Sequence, residues 1–536
     1  MLRLLLVASL VAGCGKRSYV PPADSGPIRD APPADWTPPD LSPPPDRGPD
    51  MPPVTPGCAA LAPYATPQKI TPLRARQALH RAALDRVLLV TWAQGSDVGD
   101  IVAIALPKPA PSPAVLAKGV SQIEWLDVGQ STVLFRKPKS SQSYDLIAVS
   151  VDGTGGQETL ATSVCGHRVA SGGSHVYAVR NCTEGKGTLE RIEKTGVTEW
   201  IADGVASNGV VLSPDGQWAA FVADVAATRG CSYPRGVLHT VDSAGKVEKG
   251  VSEVLDRSLQ VLPGSKHVVF KRRSGPGCQE ADIALERAAV DAPSTAEKLE
   301  SGLAFGYFWD TDPDRLYQVS PDGKTLLAAK LDMASAKAQL VAVDTTGGSP
   351  PVLLAADLFP FQMVSMAFQP FALSASGQHA VYASTPSTGY PEMGLSVVPA
   401  AGGKPVPLTS KLIAGAYTVS RTTDAVAYLE QQAPSGTRLW LATPKTGAAQ
   451  MRHATAGGIY STRFLPDGRG LLVVETTSGS STLRYVSATG PATNAGLGGW
   501  SQSHLSLHYH VDPGSCAVVY DSDQGGGGTY LALIPR

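Results

Sequence analysis

A turn followed by an apolar strand recurs along this chain, and the spacing of the copies narrows the folds open to it. The segment Leu212-Ser213-Pro214-Asp215-Gly216-Gln217-Trp218-Ala219-Ala220-Phe221-Val222 reappears, nearly rewritten, as Val319-Ser320-Pro321-Asp322-Gly323-Lys324-Thr325-Leu326-Leu327-Ala328-Ala329. Weaker copies stand at Phe464-Leu465-Pro466-Asp467-Gly468, Leu373-Ser374-Ala375-Ser376-Gly377, Leu262-Pro263-Gly264-Ser265 and Val511-Asp512-Pro513-Gly514-Ser515. Looser ones fall near Asp85, Gly129, Gly173 and Asp424. Proline presets φ at the second position, aspartate can bond the backbone two residues on, and glycine accepts φ > 0, so one strand reverses tightly into the next. Turns at 85, 129, 173, 215, 264, 322, 376, 424, 467 and 514 lie 42 to 58 residues apart, near the roughly 40 to 50 residues of a four-stranded propeller blade. Asp215, Asp322 and Asp467, with Gly216, Gly323 and Gly468, are therefore expected as turn residues and not as paired catalytic acids.

Between the turns the chain reads as apolar runs of four to seven residues, alternating or β-branched, broken by Gly, Pro, Ser and Asp. Helical periodicity is nearly absent, and Leu73 to Asp85 is the one candidate helix. After each turn come a second strand, a Gly-rich turn such as Val343-Asp344-Thr345-Thr346-Gly347-Gly348, and a last short strand such as Val352-Leu353-Leu354. The expected fold is all-β, a β-propeller of four-stranded antiparallel blades. Ten turn signals suit seven to ten blades, in one ring or in two smaller ones. The last unit offers only three strands, and Gln68 to Leu73 is the expected fourth. A blade shared by the two ends would close the ring and remove an open edge. In its Ser-Pro-Asp-Gly turn, apolar strand and Gly-rich turn, the chain resembles the TolB-like, WD-repeat-like β-propellers over most of residues 85 to 530. That resemblance implies fold and a cell-envelope location. Residues 58 to 84 are too few for the α/β domain that precedes the blades in TolB.

The N-terminus carries a different signal. Met1 to Gly13 has one charge at Arg3, a short apolar run from Leu4 to Leu10 and small residues ahead of Cys14. It is too short to span a bilayer, which needs roughly 20 apolar residues, and reads as a cleaved signal. Val11-Ala12-Gly13-Cys14 resembles the lipobox of bacterial lipoproteins, which implies a diacylglycerol on Cys14 and attachment to a membrane. Gly15 favours the outer membrane under the Gram-negative sorting rule. Between Gly15 and Gly57 lie fourteen prolines and six aspartates, a composition that cannot build a core. At about 3.1 Å per residue, such a polyproline stalk reaches roughly 130 Å. The expected organisation is a signal peptide over 1–13, a lipidated stalk over 14–57 and the propeller over 58–536.

Six further cysteines, in a compartment that permits disulfides, suggest pairs Cys165–Cys182, Cys231–Cys278 and Cys58–Cys516, with buried free thiols as the alternative. With 45 Lys+Arg against 46 Asp+Glu, the charge gives no electrostatic case for nucleic acid as a partner. On a strand, His504, Ser506, His508, His510 and Asp512 would share one face. His508, His510 and Asp512 could then hold zinc, although a hydrogen-bonded polar face is the plainer reading. The acidic runs Asp310-Thr311-Asp312-Pro313-Asp314 and Asp521-Ser522-Asp523 resemble the start of calcium loops, although solvated loops explain them as well. No cofactor is required by any motif, and no Gly-x-Ser-x-Gly elbow, Walker loop, dinucleotide fingerprint or HExxH helix occurs. The leading expectation is a non-enzymatic module that binds an envelope protein, peptide or glycan. The alternative is a propeller enzyme, a hydrolase or lyase with a site at the channel mouth.

Overall fold

The computed structural model describes Leu61 and residues 67–535, apart from 92–95, 107–112, 227–233, 274–282, 304–316, 333–336, 359–369, 385–392, 433–435, 478–479, 490–494, 501–508 and 524–526. The chain divides into two compact units, Met1–Pro43 and Pro44–Arg536, and every described residue lies in the second. The signal segment, Cys14, the stalk, Cys58, Cys231, Cys278, Asp310, Asp312, Asp314, His504, Ser506 and His508 lie outside the described residues.

Antiparallel pairing organises the described strands into ten successive four-stranded units. Units 1 to 9 cover residues 75–120, 122–161, 164–206, 210–255, 260–301, 317–358, 371–412, 417–455 and 458–500. Unit 10 takes three strands from 509–533, and Gln68–Thr71 pairs antiparallel with Gly528–Leu533 to complete it. Two long strands, Gln157–Val169 and Val406–Val419, each serve as the outer strand of one unit and the inner strand of the next. In unit 4 the outer edge is built from two short strands, Val247–Lys249 and Val254–Leu255. The segment expected as a helix is instead the strand Ala75–His80, paired with Arg86–Thr91. Pairing on the sheet overrides the weak local helical pattern there.

Period-two alternation explains why the second strand of each unit carries a continuous apolar run. In unit 1, Val87 and Leu89 pack toward unit 10, while Leu88 and Val90 pack toward unit 2. In unit 9, Leu471 and Val473 face unit 8, and Leu472 and Val474 face unit 10. A strand buried on both faces must be apolar at every position. One apolar layer thus separates each neighbouring pair of units, and a tenth layer joins unit 10 to unit 1. The circuit closes: the strand Ala75–His80 of unit 1 touches Tyr509–Val511 and Ala517–Ser522 of unit 10. One ring of ten units, and not two smaller rings, follows from that order of contacts.

Candidate functional site

The recurring turns join the first strand of each unit to the second. In unit 4 the Ser213 hydroxyl donates to Asp215 Oδ1 at 2.6 Å and accepts the Trp218 N–H at 2.9 Å, while Asp215 Oδ1 also accepts the Gln217 N–H at 3.0 Å. Unit 6 repeats this with Ser320, Asp322, Lys324 and Thr325 at 2.6, 3.0 and 2.9 Å. In unit 9, Asp467 Oδ1 accepts the Arg469 N–H at 3.1 Å. Burial opposes ionisation of Asp215, but the bonds from Ser213 and Gln217 outweigh it and hold the carboxyl below the usual range. The fourth turn residue takes φ > 0, as at Gly216 (φ 70), where a Cβ would sit 2.3 Å from Ser171 Oγ of unit 3. Neighbouring turns are bonded as well: Asp215 N to Ser265 Oγ, Ser376 N to Asp424 Oδ1, and Asp467 N to Ser515 Oγ.

Asp512 stands where Ser213 stands in unit 4, since its N–H bonds the carbonyl five residues on and its own carbonyl accepts the N–H three residues on. Its carboxylate takes the bond that the Ser213 hydroxyl makes to the N–H five residues on. Its Oδ2 accepts the Gly514 N–H at 2.8 Å and its Oδ1 the Ala517 N–H at 2.5 Å. His510 lies two residues before it on the inner strand, with Nε2 3.4 Å from the Arg76 carbonyl. His80 of unit 1 is buried beside them, its Nε2 3.3 Å from the His510 carbonyl. Among the described residues no group of three or more His, Cys, Asp or Glu is placed to hold a metal ion.

Cys165 and Cys182 are joined by a disulfide across neighbouring strands of unit 3, with Cα atoms 6.2 Å apart. Cys516 is also disulfide-bonded, to a cysteine outside the described residues. In the second acidic run, Asp521 Oδ1 is buried without a partner, and burial pushes its carboxyl up to about 7, with Arg74 opposing.

Two buried histidines of unit 3 are handled in opposite ways. His167, on the inner strand, bridges units 2 and 3: its Nδ1 meets the Tyr144 hydroxyl at 2.7 Å and its Nε2 meets the Glu124 carboxylate. The Arg136 guanidinium lies over the Tyr144 ring, 4.9 Å from its centroid. Burial holds His167 below the usual imidazole range, and Glu124 only partly offsets it. Burial also pushes Tyr144 up to about 12.

His175 begins the second strand of unit 3, just after the turn, and is only 8% exposed. Its Nδ1 lies 2.9 Å from Ser174 Oγ, and its ring meets Tyr177 edge-on with centroids 5.0 Å apart. Its Nε2 is buried and has no partner. The His175 residue lies at a cleft of about 270 Å³ between units 3 and 4, lined by Ser171, Ser174, His175, Arg191, Glu193, Asp215, Gln217 and Ser243 together with Gly216. Arg191 is held by Glu199 at 2.9 Å and by the Ser243 carbonyl, with Glu193 at 3.7 Å. The Gln217 amide oxygen accepts the Ser243 hydroxyl at 3.1 Å. Burial, with the Arg191 charge adding to it and Glu193 opposing, holds His175 below the usual imidazole range. Sequence reasoning finds the turn at Gly173 but not this cleft, whose lining comes from two units.

No protein-family profile matches the chain, and no curated protein matches it. Among solved structures it is similar to a eukaryotic initiation factor, with 11% identity and a TM-score of 0.45 over 74% of this chain and 93% of that one. It is also similar to the tricorn protease, with 12% identity and a TM-score of 0.31 over 86% and 61%. TolB from Acinetobacter baumannii gives 14% identity and a TM-score of 0.26 over 60% and 82%. The propeller assignment rests on this chain's own strand pairing and its ten apolar layers.

Proposed function

We propose that this chain is a binding module of the cell envelope, held to a membrane by lipid on Cys14 and presenting its turn face to a protein, peptide or glycan. The observation that carries this reading is the polar cleft of about 270 Å³ lined by side chains of two neighbouring units. The Asp215 turn is held by its own hydrogen bonds and by Ser265 of the next unit before the partner arrives, which reduces the ordering cost of association. The lipobox-like segment and the Pro/Asp-rich stalk support a platform tethered at a distance from its membrane.

The test is site-specific photocrosslinking in intact envelopes, with the probe at Gln217 in the cleft wall or at Thr198, on the exposed outer strand of unit 3. A discrete adduct from position 217, absent from position 198 and lost in Cys14→Ser, is the expected result. Equal labelling from both positions would sink the assignment of the cleft.

A further inference from the structure

The cleft between units 3 and 4 has a counterpart in the chain's own repeat, and the two differ in charge. At the interface between units 5 and 6, Arg287 on the third strand is paired with Glu297 of the outer strand at 2.6 Å and donates to the Thr345 and Thr346 carbonyls of the next unit. Arg191 is held in the same way by Glu199 at 2.9 Å and by the Ser243 carbonyl. His267 opens the second strand of unit 5 as His175 opens that of unit 3. Across the ladder, His267 pairs with Ala289, whereas His175 pairs with Glu193. After the turn glycine of the next unit stands Lys324 in one case and Gln217 in the other. The arginine clamp of unit 5 thus forms without a carboxylate at the place of Glu193. Glu193 is half exposed and 3.7 Å from Arg191, so its charge is available to another cation.

Two carboxylates, Glu193 from unit 3 and Asp215 from unit 4, line this cleft together with one arginine whose charge Glu199 already meets. An anion entering it would be repelled. A metal ion needs several converging ligands, and among the described residues no group of three or more His, Cys, Asp or Glu is placed to hold one. A guanidinium is a rigid fork suited to a single bidentate carboxylate, whereas an ammonium has three rotatable donors that reach separate acceptors. Acceptors contributed by two units, with the Ser171 and Ser174 hydroxyls beside them, match the second kind of donor. We infer that the cleft binds a primary ammonium group, carried by a lysine side chain of the partner, with Glu193 as its ion-pair partner and Asp215 as a second acceptor. The inference rests on the reading of the cleft as the binding site and adds the ligand class. About 270 Å³ lies just below the roughly 300 Å³ at which pockets for drug-sized ligands begin, and a single side chain needs no more.

Calorimetric titration of the full-length protein at low salt with Nα-acetyl-L-lysine methylamide tests the inference, with the Nε-acetylated form as the neutral comparator. The lysine probe is expected to bind and the acetylated one is not, since acetylation removes the charge. Binding is expected to weaken as salt rises from about 0.01 M to about 0.15 M and the screening length falls from about 30 to about 8 Å. Glu193→Gln keeps the shape of the side chain and is expected to weaken the probe about threefold to fivefold, the scale of a partly exposed ion pair. Glu297→Gln, in the counterpart interface, is expected to leave binding unchanged. Absence of binding by the lysine probe, equal binding of its acetylated form, or equal affinity in Glu193→Gln and the parent would overturn the ammonium assignment. The acetylated comparator decides on the parent protein alone if Glu193→Gln fails to fold. If the position-217 crosslink persists when the assignment fails, only the ligand class is lost. If the crosslink is also absent, the binding reading of the cleft goes with it.

Discussion

The interface between units 2 and 3 and the one between units 3 and 4 share the same apolar design but differ in their polar groups. At the first, His167 has a partner on each nitrogen, Glu124 from unit 2 and Tyr144 behind it, and the cluster acts as a bolt. At the second, His175 has one nitrogen bonded and the other buried without a partner, in a residue at the edge of a cleft. The seam between units 10 and 1 resembles the bolted case: Asp512 is fully buried with both oxygens bonded to its own turn. Buried histidine alone therefore does not mark a site. The two interfaces differ in what lies beside the histidine, a closed polar cluster in one and a cleft lined by both units in the other.

The seam offers the largest expected effect. Cys516 lies in the same apolar layer as Leu61, Ile70 and Leu531, and Leu61 is three residues past Cys58 in the chain. Cys516→Ser is expected to lower the unfolding free energy by about 2–5 kcal/mol, read from the midpoint of urea denaturation, and Cys58→Ser is expected to match it. A normal midpoint for Cys58→Ser beside a lowered one for Cys516→Ser would assign the bond to another cysteine. The seam would then depend on strand pairing alone.

Next in size is the contrast between the two histidines. His167→Phe leaves the Glu124 carboxylate and the Tyr144 hydroxyl without their shared partner, at an expected cost of about 1–3 kcal/mol. His175→Phe gives up the Ser174 bond but also relieves an unbonded buried nitrogen, and it is expected to cost less than His167→Phe. Similar losses in both variants, measured by thermal and urea melts, would mean that His175 is as structural as His167, and the division between bolt and cleft would fail.

Much of this architecture is legible in the sequence, for a physical reason. A tight turn needs particular residues at particular positions, and a strand buried on both faces needs unbroken apolar character, so Ser213 to Val222 and Ser320 to Ala329 announce themselves. The completion of unit 10 by Gln68–Thr71 follows from counting three strands at one end. The candidate site is less legible. Asp512 looks like a metal ligand beside two histidines, yet its position in the turn, revealed only by backbone bonds, gives it Ser213's task. His175, Arg191 and Gln217 become neighbours only when two units close on each other. No local pattern records that meeting. The strand at Ala75–His80 was obscured differently, because its partner Arg86–Thr91 decides its conformation more than its own periodicity does.

The smallest expected effect returns to the seam unit and concerns acidity. Asp521 has its ordinary value of 3.8 raised to about 7, first by burial, with Arg74 opposing, and its Oδ1 has no partner. A carboxyl whose folded value is raised binds its proton more tightly in the folded chain than in the unfolded one. Below about pH 4 both states are protonated and the group is neutral to stability. Between pH 4 and 7 the unfolded chain loses the proton first, so stability falls as pH rises and levels off above 7. Asp521→Asn removes that dependence without changing shape. It is expected to leave the melting temperature unchanged at pH 4 and to raise it by roughly 2 °C at pH 8, the shift that about 1 kcal/mol produces in a large domain. Solvent reaching the partly exposed carboxyl keeps the gain this small. A gain equal at both pH values would indicate a change in packing and not relief of a buried charge. A loss at pH 8 would mean that the Asp521 carboxylate is held by Arg74 as a working ion pair, placing unit 10 fully with the bolted interfaces.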